Sequence, residues 1–377
     1  MRAPGVGRGI ILLFTLCCSA AGCSREKGPL RIGLAGPLTS PVGAPMRLAA
    51  RMAVEEINRT GGVQGRPLAL IERDDFDSQD SAVKVAANLY RTDVVAVIGH
   101  VSSGTTLAAA PVYNGGATPV VEIAPSASSP ELTGAGDYTF RLSPSDAKHG
   151  ATLAEWALGR LRTARAAVFY LNNDYGRGVR EAFTEKYTAL GGEVLMTSPY
   201  LDSPLVVGPY LDRLVADGRA NLLVIAGNRT DAVEIIRRVR ARRLTLPVVG
   251  GDGLEGIEAD GPAAEGVFLT AAYLPDEDSP KAREFLTAWK RRYPAAGNPN
   301  QPAAATYDAV YLLRQVLETG GPRRGAVRDG IARLGNATPG FEGVTGTIRF
   351  DPRGDRVDAH LVVGRVRNGH VEPAERP

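Results

Sequence analysis

Two runs of small hydroxyl-bearing residues, Ser102-Ser103-Gly104-Thr105-Thr106 and Ser126-Ala127-Ser128-Ser129, are the part of this sequence best suited to chemistry. Hydroxyls and free backbone N–H groups in close array bind an anion, a carboxylate above all, because aimed donors replace each lost water. Each run follows a short apolar segment, residues 94–98 and 119–123, that reads as a buried strand. Two neighbouring parallel strands deliver both runs to the carboxyl edge of a sheet, where open α/β folds bind ligands. A helix beginning near Gly104 points its positive end at the same place. The plainer reading makes both loops ordinary βα turns whose Ser and Thr cap helices. Two such loops in succession favour a site.

Other patterns carry less. Gly251-Asp252-Gly253-Leu254-Glu255-Gly256 fits a dinucleotide-binding glycine pattern, but Asp252 and Glu255 would repel a pyrophosphate, so it reads as a turn. Gly99 to Gly104 has the wrong spacing for a nucleophile elbow, and a hydrolase built on Ser102 or Ser103 lacks a His and Asp partner set. His100, His149, His360 and His370 show no metal-ligand spacing. Asp74-Asp75-Phe76-Asp77 lacks the rest of a calcium loop and reads as a strand-end cluster. No P-loop is present, and no cofactor is expected.

The elements that must position these residues are legible in outline. The chain has 377 residues, 44% of them hydrophobic, enough to fill two domain cores. Its net charge of +3 gives no support for a nucleic-acid surface. Arg2, Arg8, the apolar run 10–16 and Ser19-Ala20-Ala21-Gly22 read as a signal peptide over residues 1–22. The apolar run is too short to anchor the chain permanently in a bilayer. Ala20-Ala21-Gly22-Cys23 resembles a bacterial lipobox, although leucine is commoner where Ala20 stands; this implies that Cys23 is lipidated. Cys17 and Cys18 fall inside the signal, and a lone mature thiol in an exported protein is unusual unless modified. The alternative is plain cleavage near Ala21.

After a tether at 23–29, strands at 30–35 and 68–72 alternate with helices at 44–58 and 81–90, leading into the two hydroxyl loops. The alternation restarts after Arg141-Leu142-Ser143-Pro144, with strands at 166–170, 193–196, 221–226 and 247–250 and helices between them. Such alternation predicts an α/β protein with two doubly wound parallel-sheet lobes. Helices at 282–292, 303–317 and 328–334 read as layers covering the first lobe. Segments 347–350 and 359–367 read as a closing antiparallel pair.

Over nearly its whole mature length the chain resembles the periplasmic solute-binding proteins of branched-chain amino acid ABC transporters. The likeness rests on the order of Gly36-Pro37-Leu38-Thr39, Ala53-Val54-Glu55-Glu56-Ile57-Asn58, Val97-Ile98-Gly99-His100, Asn173-Asp174-Tyr175-Gly176, Ala264-Glu265-Gly266 and Thr306-Tyr307-Asp308-Ala309. The resemblance implies a type 1, Venus-flytrap fold with a three-crossover hinge near Leu142, Thr270 and Val344. The first lobe would comprise residues 30–143 and 271–343, the second 144–270 and 344–373. It implies that Ser102, Ser103 and Ser128, with backbone groups of Ser126 and Ala127, hold an α-carboxylate. Asp252 would meet the α-ammonium, and Tyr175 would lie over the ligand.

Asn228-Arg229 departs from the family, which usually has an aromatic there. Arg229 is either solvated or faces a second acid group of the ligand, which leaves a dicarboxylate-like solute as the alternative to a branched-chain or related amino acid. The implied activity is non-enzymatic: a lipid-anchored extracytoplasmic monomer delivers its ligand to an ABC permease served by ATPase subunits. A ligand-sensing module for a signalling partner is the other reading.

Overall fold

A computed structural model describes Met1 and residues 28–201, 203–274, 279–357, 359 and 361–374. The expected signal peptide, Cys23 and His360 lie outside these residues. The chain first lays down β1 (Leu30–Gly36), α1 (Gly43–Arg59), β2 (Leu68–Asp74), α2 (Gln79–Tyr90), β3 (Val94–Ile98), α3 (Ser103–Asn114), β4 (Val121–Ala124) and β5 (Thr139–Arg141). These five strands form one parallel sheet in the order β2-β1-β3-β4-β5. Every residue of β3 is buried, as a central strand covered on both faces requires. β5, three residues long, was not expected from the sequence.

The plan then repeats with α4 (Asp146–Gly159), β6 (Arg165–Leu171), α5 (Asp174–Ala189), β7 (Glu193–Tyr200), α6 (Gly208–Asp217), β8 (Leu222–Ala226), α7 (Arg229–Ala241), β9 (Val248–Gly250) and β10 (Phe268–Ala271). The second sheet runs β7-β6-β8-β9-β10, the same order as the first, and continues into two antiparallel edge strands, β13 (Val362–Arg367) and β14 (His370–Pro373). In this order the connections reverse direction between β1 and β3 and again between β6 and β8, and a crevice opens at such a point.

Between β10 and β13 come α8 (Pro280–Arg292), α9 (Gln301–Gly320), α10 (Arg324–Ala332), β11 (Phe341–Gly343) and β12 (Gly346–Ile348). They return to the first lobe. Val310 and Leu313 of α9 pack with Ile32, Leu34 and Ile98, while Phe285 and Trp289 of α8 meet Ala49 and Met52 of α1. α9 is apolar around most of its circumference because it lies between α1 and the sheet.

The chain therefore passes between lobes three times. The third passage lies later than Val344: Ile348 and Phe350 are still buried in the first-lobe core. The expected closing pair is corrected too, since β12 pairs with β11 whereas β13 pairs with β10 and β14. Both segments alternate in strand fashion, and nothing in their patterns names the partner. The passages are tied together by Arg356, which donates to the Leu142 and Thr345 carbonyls, and by Arg141, which pairs with Asp355 at 2.7 Å. Gly354 has φ +85° and a Cβ there would stand 2.2 Å from the Thr139 oxygen, so the crossing backbone admits only glycine.

Candidate functional site

On the first lobe, β3 delivers the chain to Ser102, whose hydroxyl makes no capping bond, and to Ser103 at the start of α3. The Ser103 oxygen accepts the N–H groups of Ser128 (3.3 Å) and Ser129 (3.1 Å), which stitches the two hydroxyl loops together. A serine oxygen has two lone pairs and one proton. With both lone pairs engaged, Ser103 can only donate outward. Ser129 caps the next turn through Glu131, as the plainer reading expects. Ser126 is half-buried, whereas Ala127 and Ser128 are buried. Beneath the loop lies Arg141, 2% exposed, which donates to the carbonyls of Ser128 (3.0 Å) and Ser129 (2.8 Å).

On the second lobe, Asn173 caps α5 by accepting the Gly176 N–H, which sets Tyr175 in the first turn. The Tyr175 hydroxyl donates to Asp252 Oδ1 at 3.0 Å and accepts the Gly253 N–H at 2.8 Å. Burial and the neighbouring Asp252 carboxylate hold this phenol well above its ordinary pKa, so it stays a donor. Gly251 to Leu254 form a tight turn after β9. A Cβ on Gly253 would stand 2.5 Å from the Gly227 oxygen, so the glycine of this pattern serves close packing.

Asn228 is the cap of α7: its oxygen accepts the Asp231 N–H and its amide donates to the Asp231 carboxylate. Arg229 pairs with Asp260 at 2.9 Å and is 41% exposed, so its charge is balanced within its own lobe. Among the described residues no cluster of three or more His, Cys, Asp and Glu is arranged to hold a metal.

The two lobes meet. The Glu255 carboxylate accepts the N–H of Gln301, at the start of α9, at 2.7 Å, and the Gln301 side chain donates to the Pro125 carbonyl at 2.8 Å. At buried Gly178 of α5, a Cβ would lie 2.8 Å from Pro130 of the opposite lobe. This is a closed cleft with hydroxyl and amide donors on one wall and a carboxylate with a phenol on the other.

The model of the periplasmic binding protein family matches residues 29–370. The chain belongs to that family. Leu/Ile/Val-binding protein homolog 1 of Brucella suis biovar 1 is 27% identical over 334 residues, covering 86% of each chain. A leucine binding protein from Thermotoga maritima superposes with a TM-score of 0.83 at 27% identity, covering 92% of this chain and 98% of that one. The isoleucine complex of a branched-chain amino acid transporter substrate binding protein from Streptococcus pneumoniae gives 0.81 at 26% identity, covering 92% and 99%.

In this periplasmic binding protein the structure adds residues that the sequence reading passed over. Asp146, at the start of α4, is fully buried, and its carboxyl is held well above the ordinary range by burial and then by Asp252. His149, one turn on, bonds Thr270 through Nδ1 at 2.8 Å and stands 3.5 Å from Asp252 through Nε2. Burial lowers its pKa and leaves the imidazole neutral. Glu255 is pushed up to about 8, chiefly by burial of its carboxyl at the closed interface, with Asp252 and Glu258 adding to it. Ser145 before Asp146 announces a helix cap in the sequence; an acid buried beside a second acid has no such signature.

Proposed function

We propose that this chain is an extracytoplasmic receptor that captures a branched-chain or related amino acid between its lobes and delivers it to an ABC permease driven by ATPase subunits. Ser103 carries the reading, because its hydroxyl is left with only a proton to offer across the cleft from an acid. The ligand's carboxylate would take the Ser102 and Ser103 hydroxyls, the first-turn amides of α3 and the loop at Ser126, Ala127 and Ser128. Its ammonium would face Asp252, which Tyr175 orients. First-lobe contacts form in the open state, and the Asp252 contact forms only on closure, so the ligand shifts the population toward the closed form. Ligands named for the relatives, leucine and isoleucine among them, favour this class. The Arg229–Asp260 pair removes the main reason to expect a second acid group on the ligand.

Cys23 would carry the lipid that holds this monomer at the membrane; among the described residues no helix is long and apolar enough to cross one. The test is a thermal-shift panel of the twenty amino acids, with dicarboxylates as controls, on the detergent-solubilised mature protein. A ligand at a hundred times its Kd adds about 2.7 kcal/mol of stability. We expect an apolar amino acid to raise the melting temperature. Asp252→Ala should abolish that rise by weakening binding about 2–5 kcal/mol, and Ser103→Ala should weaken it by about 1–3 kcal/mol. No shift with any amino acid would sink the assignment.

A further inference from the structure

Asp146 is a carboxylate in an improbable place. It is fully buried, and neither oxygen has a hydrogen-bond partner of good geometry among the described residues, although the Ser128 hydroxyl stands beside them. An acid in the first turn of a helix ordinarily accepts that turn's amides. Here the amides are already served: the N–H groups of Lys148 and His149 donate to the Ser145 carbonyl, and that of Ala147 to the Ser145 hydroxyl. Asp146 is therefore redundant as a cap. Its own N–H donates to the Ser128 carbonyl at 2.8 Å, which fixes it against the carboxylate-binding loop.

Among the described residues, the groups around it include no free cation. From the first lobe come Ser128 and Arg141, the guanidinium being engaged by Asp355 and two carbonyls. From the second lobe come Tyr175 of α5 and Asp252 of the turn after β9, and α5 comes close at Gly178, where a Cβ would lie 3.0 Å from Asp146 Oδ2. On its own helix, His149 is neutral and Lys148 reaches away to the Ala359 carbonyl. Glu255 adds a further acid close to Asp252. Two neighbouring carboxylates in a closed cleft without a counter-ion require either a shared proton or a cation from outside.

We propose that Asp146 and Asp252 form a two-carboxylate clasp for the ligand's ammonium, and that the pair holds one proton while the cleft is empty and releases it to solvent as the amine enters. This rests on the amino acid reading above and adds a ligand-contacting residue and a proton count to it. The charge balances: one ammonium replaces one proton. The direction in which burial and Asp252 move the Asp146 carboxyl agrees with a protonated empty state. Binding then strengthens as pH rises through the range in which the empty pair loses its proton.

The experiment is calorimetric titration of the mature protein with each of the twenty amino acids, and with the α-hydroxy analogue of any that binds. Two buffers of different ionisation enthalpy at weakly acidic pH give the proton count. All titrations that count protons are run in a Glu255→Gln background, which removes the proton that closure would load onto Glu255, and the otherwise unaltered protein should release up to one proton per amino acid bound. Asp146→Asn should weaken amino acid binding roughly tenfold or more, should release none, and should leave the amine-free hydroxy acid within about twofold. Asp252→Asn should behave alike. If that otherwise unaltered protein binds an amino acid and Asp146→Asn in the same background binds it equally well with the same proton count, the clasp falls and the receptor reading stands. If no amino acid binds the wild type, both fall.

Discussion

A buried acid with no well-aligned hydrogen bond among the described residues leaves its mark on stability as well as on binding. Because the folded-state pKa of Asp146 is raised, the native protein holds more protons than the unfolded chain above the ordinary carboxylate pKa of ~3.9. Stability is then lost as pH rises from that value toward the folded-state pKa. The ligand-free Asp146→Asn variant should therefore be more stable than its parent at neutral and alkaline pH, by about 1–3 kcal/mol. The difference should vanish in acid. Denaturant melts at several pH values check this, and a variant less stable at every pH would mean that Asp146 is a structural acid. From the sequence, Ser103 could be proposed by its hydroxyl-rich run after a strand, and Tyr175 and Asp252 through the family resemblance. Asp146 could not. Its significance comes from Asp252, a neighbour in the same lobe but far away in the chain.

Among the elements, α9 joins sequence to architecture. Its thirteen buried positions leave little polar face, and that pattern marks a helix with neighbours on several sides. Asn300 accepts the Ala303 N–H to cap it, and its first free amide, at Gln301, points across to Glu255. Leu313, fully buried against the first sheet, should lose about 2–5 kcal/mol on Leu313→Ala. Because that core holds α9 and hence Gln301, the variant should also show a lowered denaturation midpoint with unchanged ligand stoichiometry. Unaltered melting would mean that the first lobe closes without α9. Helices and long strands were legible because their periods repeat several times. β5 was not, since three residues are too few to show a period. The third passage between lobes lies later than expected because nothing local in residues 347–350 and 359–367 says which sheet each joins, and only pairing tells them apart.

At the level of the whole molecule, closure brings a second-lobe carboxylate onto a first-lobe helix end. Glu255 lies against the start of α9 in the closed form with a pKa near 8, whereas an open cleft would return it to water and to an ordinary value of ~4.3. Between those values the closed form holds the extra proton, so rising pH favours opening and falling pH favours closure. The Asp146 carboxyl contributes in the same direction, so the two must be separated. In an Asp146→Asn background, fluorophores attached through Val83→Cys on α2 and Leu190→Cys after α5 report on lobe separation; both positions are exposed. The ligand-free protein should shift from the short-distance to the long-distance population as pH rises from about 5 to about 8. Adding Glu255→Gln should flatten that profile, since a neutral amide keeps the carbonyl that accepts the Gln301 N–H but has no proton to lose. A profile unchanged by Glu255→Gln would show that the interlobe bond forms equally with either charge state. Closure would then be set by the ligand alone. A flattened one would make the receptor's affinity depend on the pH of its compartment through two separable groups, the ammonium clasp and the interlobe bond.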